Sequence, residues 1–557
     1  MNATDPTRIK DAPAGWILAG LAVMVGLLIL IMPLFRADSR LPTFRQLPVT
    51  GEGRVKPMDT EARVNLMVLS GRQTLERDGK RYPAARWLLE VFSRTDRVFH
   101  DEIFRIDEPG LKSLIGQEKS DRKRFSYQEI YAHGQKVSDQ TQLAVEVDAE
   151  DRSPFQKAVL NLSRQLRQFQ DLAEHERPFM VPPSTSGGEW RRLPDAFRAD
   201  RDDPVVQAYL GLFKTVQDGD WVAVGQATER VQAELRQRVP SAMTPARIEV
   251  LFNDLQPFYT TALLYVLVFL FACGSWVAWP TSMRRAAASL LVLALIAHTL
   301  GIIARIYLQG RPPVTNLYSS AVFVGWGAVL IGLYLDWMRR DGIGLVAAAI
   351  SGGMTLLIAH HLGADGDTME MMQAVLDTNF WLATHVTVIT IGYSATFFAG
   401  LLGIIWLINE VFFAASTSPA RRRDLGRTIY GVICFALMMS FVGTVLGGIW
   451  ADFSWGRFWG WDPKENGAAL VVLVNALALH AWWGGLIRER GLAVLAVSGN
   501  IVTAWSWFGT NMLGVGLHSY GFMESAAFWL IAFVVSQLLL MGLGFFVPAI
   551  KRKAGTG

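Results

Sequence analysis

Ten stretches of mostly apolar residues dominate this chain, and each is long enough to cross a bilayer as a helix. They run over Ala14–Phe35, Pro257–Trp279, Ala286–Leu308, Ser320–Trp337, Ile343–His361, Phe380–Asn409, Thr428–Ile449, Gly467–Ile487, Leu492–Phe508 and Ser525–Ile550. Lipid offers the backbone no hydrogen-bond partner, so runs of this length must bond internally, as helices. The expected fold is an all-α polytopic membrane protein. The first stretch lacks a small-residue cleavage site and is read as an anchor.

Charge is unevenly spread over the 557 residues. Between Arg36 and Gln256 lie 34 Lys/Arg and 34 Asp/Glu, out of 53 and 49 in the whole chain. That stretch is a charge-balanced soluble domain inserted after the first helix. The division expected is residues 1–35 as tail and first span, 36–256 as the insert, and 257–557 as the membrane domain. Helical spacing of apolar residues over Ser153–Glu174 and Trp221–Arg238 makes the insert mainly α-helical, with Pro182–Gly188 as loop. Nothing in it resembles a basic nucleic-acid-binding face. With alternate loops facing inward, fifteen Lys/Arg fall on the side of the N-terminus, while the short loops opposite hold Arg311, Arg457 and Lys464. The positive-inside rule then places the N-terminus in the cytoplasm and the insert outside it.

The stretch Trp450–Asn466, WADFSWGRFWGWDPKEN, is read as a loop on the outer side. It carries Trp450, Trp455, Trp459 and Trp461 with Phe453 and Phe458, interleaved with Asp452, Arg457, Asp462, Lys464 and Glu465. An interfacial belt uses one or two such rings. Six beside cationic side chains suit a large flat apolar ligand with peripheral carboxylates, as a porphyrin has. Among nine histidines, His385 and His518 fall at the depth of this loop, and an imidazole pair facing one cavity can ligate haem iron axially. His298 and His480 are placed near mid-span, where ionisable residues are uncommon and functional by default. The two cysteines, Cys273 and Cys434, lie apart in apolar runs, so the chain carries no CxxC pair for disulfide exchange and no CxxCH.

Residues WGRFWGWDPKEN resemble the tryptophan-rich signature of the membrane proteins that handle haem in cytochrome c maturation. The form is most similar to CcsA, a component of the system II cytochrome c synthase. GRPPVTNLYSS (Gly310–Ser320), His385 in LATHVTVITIGY, His518 in GLHSYGF, and His480 match the same family. The resemblance covers roughly Ala286–Ile550. Two positions depart from it: Asn466 stands where Thr is usual, and Ser319 where Glu is usual. The insert is not part of the minimal family pattern, although its GRVKPMDT stretch (Gly53–Thr60) resembles enlarged members.

The resemblance implies attachment of haem b to apocytochrome c outside the cytoplasm, through thioethers between the vinyl groups and the thiols of a CxxCH motif. His385 and His518 would ligate the iron at the outer site, and His480 with His298 would form a second site in the bilayer. Trp450, Trp455, Trp459, Trp461, Asp462, Arg457 and Lys464 would surround the porphyrin. A haem lyase of this kind in a bacterial cytoplasmic membrane implies a CcsB or ResB-like partner and a separate thiol-reducing protein. Two alternatives share the Trp stretch: a haem exporter without ligation activity, and a lyase of the CcmF type.

Overall fold

The computed structural model describes residues 12–35, 41–51, 53–149, 151–185, 187–363, 366–370, 378–413, 417–513 and 524–554. Ten helices in it are long and apolar enough to cross a membrane, so the chain is an all-α polytopic membrane protein. The described residues fall into two compact units. One takes those up to Met32, Gln256–Leu362, and those beyond Met371. The other takes Pro33–Leu255 and, from between two spans, Gly363–Met371.

Helix α1 (Ala12–Phe35) is followed in the second unit by α2 (Met58–Ser70), α3 (Ala84–Phe92), α4 (Pro154–Ala173), α5 (Pro204–Gln217), α6 (Trp221–Arg238) and α7 (Pro240–Leu255), with shorter helices between. Helix α4 starts where a capping box forms: Ser153 Oγ accepts from Gln156 N–H, and the Gln156 side chain accepts from Ser153 N–H. Its apolar positions Val159, Leu162, Phe169 and Leu172 are buried in one continuous core. Three antiparallel strand pairs interrupt the helices: β1 (Pro48–Gly51) with β2 (Arg54–Pro57), β3 (Thr74–Arg77) with β4 (Lys80–Pro83), and β5 (Glu102–Arg105) with β6 (Arg124–Ser126). At the second, Asp78 and Gly79 both take positive φ, the two-residue turn that matches strand twist.

GRVKPMDT spans β2 and the start of α2, and its charges are buried. Arg54 donates to both carboxylate oxygens of Glu249 at 2.7 and 2.8 Å and to Asp367 at 2.7 Å. Lys56 pairs with Glu61 at 2.8 Å. Arg45 and Arg63 share Asp59 and Asp254. Buried charges persist only when paired and hydrogen-bonded. Burial pushes the Asp367 carboxyl up, but Arg54 and Lys56 outweigh it and hold it below its ordinary range.

The first unit continues with α8 (Pro257–Gly274), α9 (Pro280–Gln309), α10 (Leu317–Arg339), α11 (Ile343–Leu362), α12 (Thr387–Phe412), α13 (Pro419–Trp455), α14 (Pro463–Trp483), α15 (Glu489–Ala504) and α16 (Glu524–Ala554). Helix α12 is preceded by a π-turn, Leu382–Val386, and α15 runs into another, Trp505–Gly509. Packing pairs α8 with α9 and α11, α10 with α11, and α12 with α13 and α15. In lipid such contacts rely on close backbone approach at small residues. Gly332 on α10 shows this: a Cβ there would meet the Gly344 carbonyl oxygen of α11 at 2.6 Å.

Candidate functional site

The Trp stretch is less of a loop than its glycines suggest. Helix α13 continues through Trp450 to Trp455, where Gly456, in a left-handed conformation, donates to the Asp452 carbonyl and ends it. Helix α14 begins at Pro463 with Asp462 as its cap, so only residues 456–462 are non-helical. Asp462 Oδ1 accepts from Lys464 N–H, while Glu465 Oε2 accepts from Asp462 N–H and from Gly460 N–H at 2.7 Å. This reciprocal cap holds the loop against the head of α14.

A cavity of about 190 Å³ lies beside it, within the first unit. Its walls come from four places: the segment ahead of α10 (Thr315, Asn316), the π-turn before α12 (Leu382, His385), the end of α13 with its loop (Trp450, Trp455, Phe458, Trp459), and Trp507 in the second π-turn. Single π-turns recur at functional sites, because the extra residue displaces side chains from helical register. Both described π-turns border this one cavity. Tyr393 also lines it and bonds Ser506 Oγ at 2.5 Å.

His385 is the imidazole of the cavity. Its Nδ1 lies 2.8 Å from the Gly443 carbonyl of α13. A carbonyl only accepts, so Nδ1 carries the hydrogen and the lone pair resides on Nε2. Metal-binding histidines are held this way, the second nitrogen donating to a carbonyl. The ring packs against Trp450, centroids 5.7 Å apart. It fits because residue 447 is glycine: a Cβ there would lie 2.6 Å from His385 Cε1.

The other expected residues divide. Trp455 and Trp459 line the cavity with Trp450, whereas Trp461 is exposed and meets Trp459 edge-on. Arg457 lies across Gly460, with its guanidinium 5.9 Å from the Trp455 ring centre. Lys464 lines the cavity and donates to the Trp507 carbonyl at 2.9 Å and to Asn511 Oδ1 at 3.1 Å. His518 lies outside the described residues.

His480 is not at mid-span. Helix α14 ends at Trp483, which leaves His480 exposed in the last turn, its Nδ1 donating to the Ala476 carbonyl at 2.8 Å. His298 is inside α9 and fully buried. Its Nδ1 accepts from Tyr265 Oη at 2.9 Å and its Nε2 donates to the Val322 carbonyl at 3.1 Å. Both ring nitrogens are thereby occupied, and the ring joins α8, α9 and α10.

Sequence reasoning overlooked Trp507 and Gly447 as site residues, and took Phe458 and Glu465 only as members of the Trp stretch. Gly447 and Gly448 did carry a signal: small residues in a membrane helix allow close approach to its backbone. Here it is the rings of His385 and Phe458.

Residues 314–518 match the family model described as Cytochrome C assembly protein. The chain is similar to Protein NrfI of Wolinella succinogenes, 26% identical over 490 residues that cover 84% of this chain and 53% of NrfI. It is similar to the cytochrome c biogenesis protein CcsA of Guillardia theta, 31% identical over 262 residues, 42% of this chain and 84% of that protein. CcsA of Synechococcus sp. (strain CC9605) is 30% identical over 275 residues, 44% and 90% of the two chains. Bundle and matches together define a multi-pass membrane protein of cytochrome c assembly. The chain belongs to the CcsA family of cytochrome c biogenesis proteins. It spans about half the length of NrfI. That match covers more of this chain than its membrane domain supplies, so it reaches into the insert.

Proposed function

We propose that the cavity beside His385 takes haem b and presents it for covalent attachment to the CxxCH motif of an apocytochrome c. The observation that carries this reading is the state of His385: hydrogen on Nδ1, lone pair on Nε2, ring against Trp450 within an aromatic cavity. Iron needs that lone pair, and the flat macrocycle needs the rings of Trp450, Trp455 and Trp459. His518 is the proposed second axial ligand. Arg457 and Lys464 supply positive charge at the loop for the propionates, with Asp462 holding the loop to α14.

When bound, haem supplies the vinyl groups to which the substrate's thiols add. The protein's part is to hold the macrocycle, exclude competing ligands and align the incoming peptide. Alignment alone yields effective molarities of ~10⁵ M or more. Of the two residues expected in the bilayer, His480 is the one suited to hold haem away from the cavity, since its exposed ring keeps a lone pair on Nε2. His298 is left to pack helices. On this reading the Trp loop and the insert face away from the cytoplasm across a bacterial cytoplasmic membrane. The chain acts with a CcsB or ResB-like membrane protein, and a separate thiol-reducing protein keeps the CxxCH reduced.

The test is co-expression with that partner and an apocytochrome in a host without maturation genes. The reading expects a b-type spectrum in the purified protein and c-type haem on the apocytochrome. A haem-loaded protein that never produces covalent haem would reduce the function to transport.

A further inference from the structure

Among the described residues, a few buried side-chain polar atoms have no hydrogen-bond partner, and one of them belongs to a residue lining the cavity: Oε1 of Glu465. The carboxylate is used asymmetrically. Its Oε2 accepts from Gly460 and Asp462, while Oε1 receives no donor. Leaving a buried acceptor unpaired costs about 1–3 kcal/mol, more when it is charged. Such groups are rare enough in folded proteins that each asks for an explanation. The nearest cation in sequence does not supply one, because Lys464 turns its ammonium to the Trp507 carbonyl and Asn511. A cap alone does not explain it either, since an amide or a carboxylate would accept the two backbone N–H groups equally well.

We propose that Glu465 is the proton acceptor for the substrate's cysteine thiol, with Oε1 the accepting atom; this rests on the reading of the cavity as the haem site. Thioether formation adds S–H across a vinyl C=C bond. The thiol proton passes to Glu465 Oε1, and the sulfur electron pair forms the C–S bond at the vinyl carbon next to the ring. The π bond breaks, and the terminal vinyl carbon takes a proton back from the Glu465 carboxyl. Sulfur, vinyl and proton all end in the product, and Glu465 returns to its carboxylate with no oxidant or reductant consumed. A positioned base of this kind contributes ~10²–10⁴-fold in rate.

The test uses the full chain co-expressed with its partner and an apocytochrome, reading haem retained by the purified protein separately from covalent haem on the apocytochrome. Glu465→Gln preserves an acceptor for Gly460 and Asp462 but removes the base. It is expected to keep haem within twofold of the parent while covalent attachment falls ~100-fold or more. Glu465→Asp, which keeps the carboxylate, is expected to recover part of the loss. Attachment at the parent rate in Glu465→Gln overturns the proposal, and so does loss of haem from that variant, which would make Glu465 a holding residue. Failure of the underlying reading looks different: His385→Ala would then keep both haem and attachment, whatever Glu465→Gln does.

Discussion

Two histidines inside the membrane bundle show how the same side chain is put to opposite uses. His298 has both nitrogens spent, one on Tyr265 and one on the Val322 carbonyl, and no exposed surface. His385 has its hydrogen fixed on Nδ1 by the Gly443 carbonyl, and its ring borders a cavity. One arrangement completes a hydrogen-bond circuit between three helices. The other sets a tautomer and directs the lone pair elsewhere. Burial within a span therefore does not by itself mark a ligand; what matters is which nitrogen the surroundings use.

The largest effect that tests this contrast is loss of the imidazole. His385→Ala is expected to abolish the b-type absorbance of the purified protein and the production of c-type cytochrome. Retention of both would remove His385 from the site. Gly447→Ala sharpens the contrast without touching the imidazole. The new Cβ, 2.6 Å from His385 Cε1, forces the ring off the α13 backbone and away from the Gly443 carbonyl. Haem content is expected to drop about tenfold, the lower end for loss of a group supporting a metal ligand. Gly431, on the same helix, has open space where its Cβ would stand, so Gly431→Ala serves as the control and is expected to bind haem normally.

His298→Ala probes the other side. It leaves the Tyr265 hydroxyl and the Val322 carbonyl without the partner they now have, at about 1–3 kcal/mol. The thermal midpoint in detergent is expected to fall by several degrees, with haem per folded protein unchanged. Haem loss in step with that seen for His385→Ala, at unchanged midpoint, would mean that His298 ligates after all.

The spans were legible because lipid permits little besides a helix for an apolar run of that length. Their ends were not. Asp452 and Ser454 interrupt the apolar run, yet α13 continues to Gly456, where the left-handed turn stops it. An offset of the neighbouring span, expected over Gly467–Ile487 and found over Pro463–Trp483, moved His480 from mid-span to a helix end. The aromatic half of the cavity stood in one contiguous stretch and could be read directly. The opposite wall could not: Trp507 donates to Ser320 Oγ across 187 residues, and a π-turn adds one residue without leaving a periodic trace. In the insert, the turn at Asp78-Gly79 was a readable hairpin signal that helical periodicity overshadowed. The buried charges of GRVKPMDT had no visible partners, because Arg54 finds Asp367 313 residues away.

A third histidine, His175 in the other unit, carries the comparison outside the membrane. Its Nε2 lies 2.8 Å from the Phe92 carbonyl and its ring packs on Phe92 and Phe213, with centroids 5.8 and 5.1 Å away. Burial lowers its pKa to about 4, with Arg94 adding to the effect against the hydrogen bond to Phe92. An unfolded histidine titrates near 6.5. Between those values the unfolded chain holds the proton and the folded chain does not, so stability must fall as pH drops from about 6.5 to 4 and is fully present above that window. The effect is on the order of 1–3 kcal/mol across the window. Carboxylates titrate in the same range, so the informative quantity is the difference between the parent and His175→Phe. The protection of the α3 amides in the full chain, taken as hydrogen exchange relative to the intrinsic rate at pH 7 and pH 4.5, is expected to fall more in the parent than in the variant. An equal fall in protection would show that His175 does not give up its proton on folding.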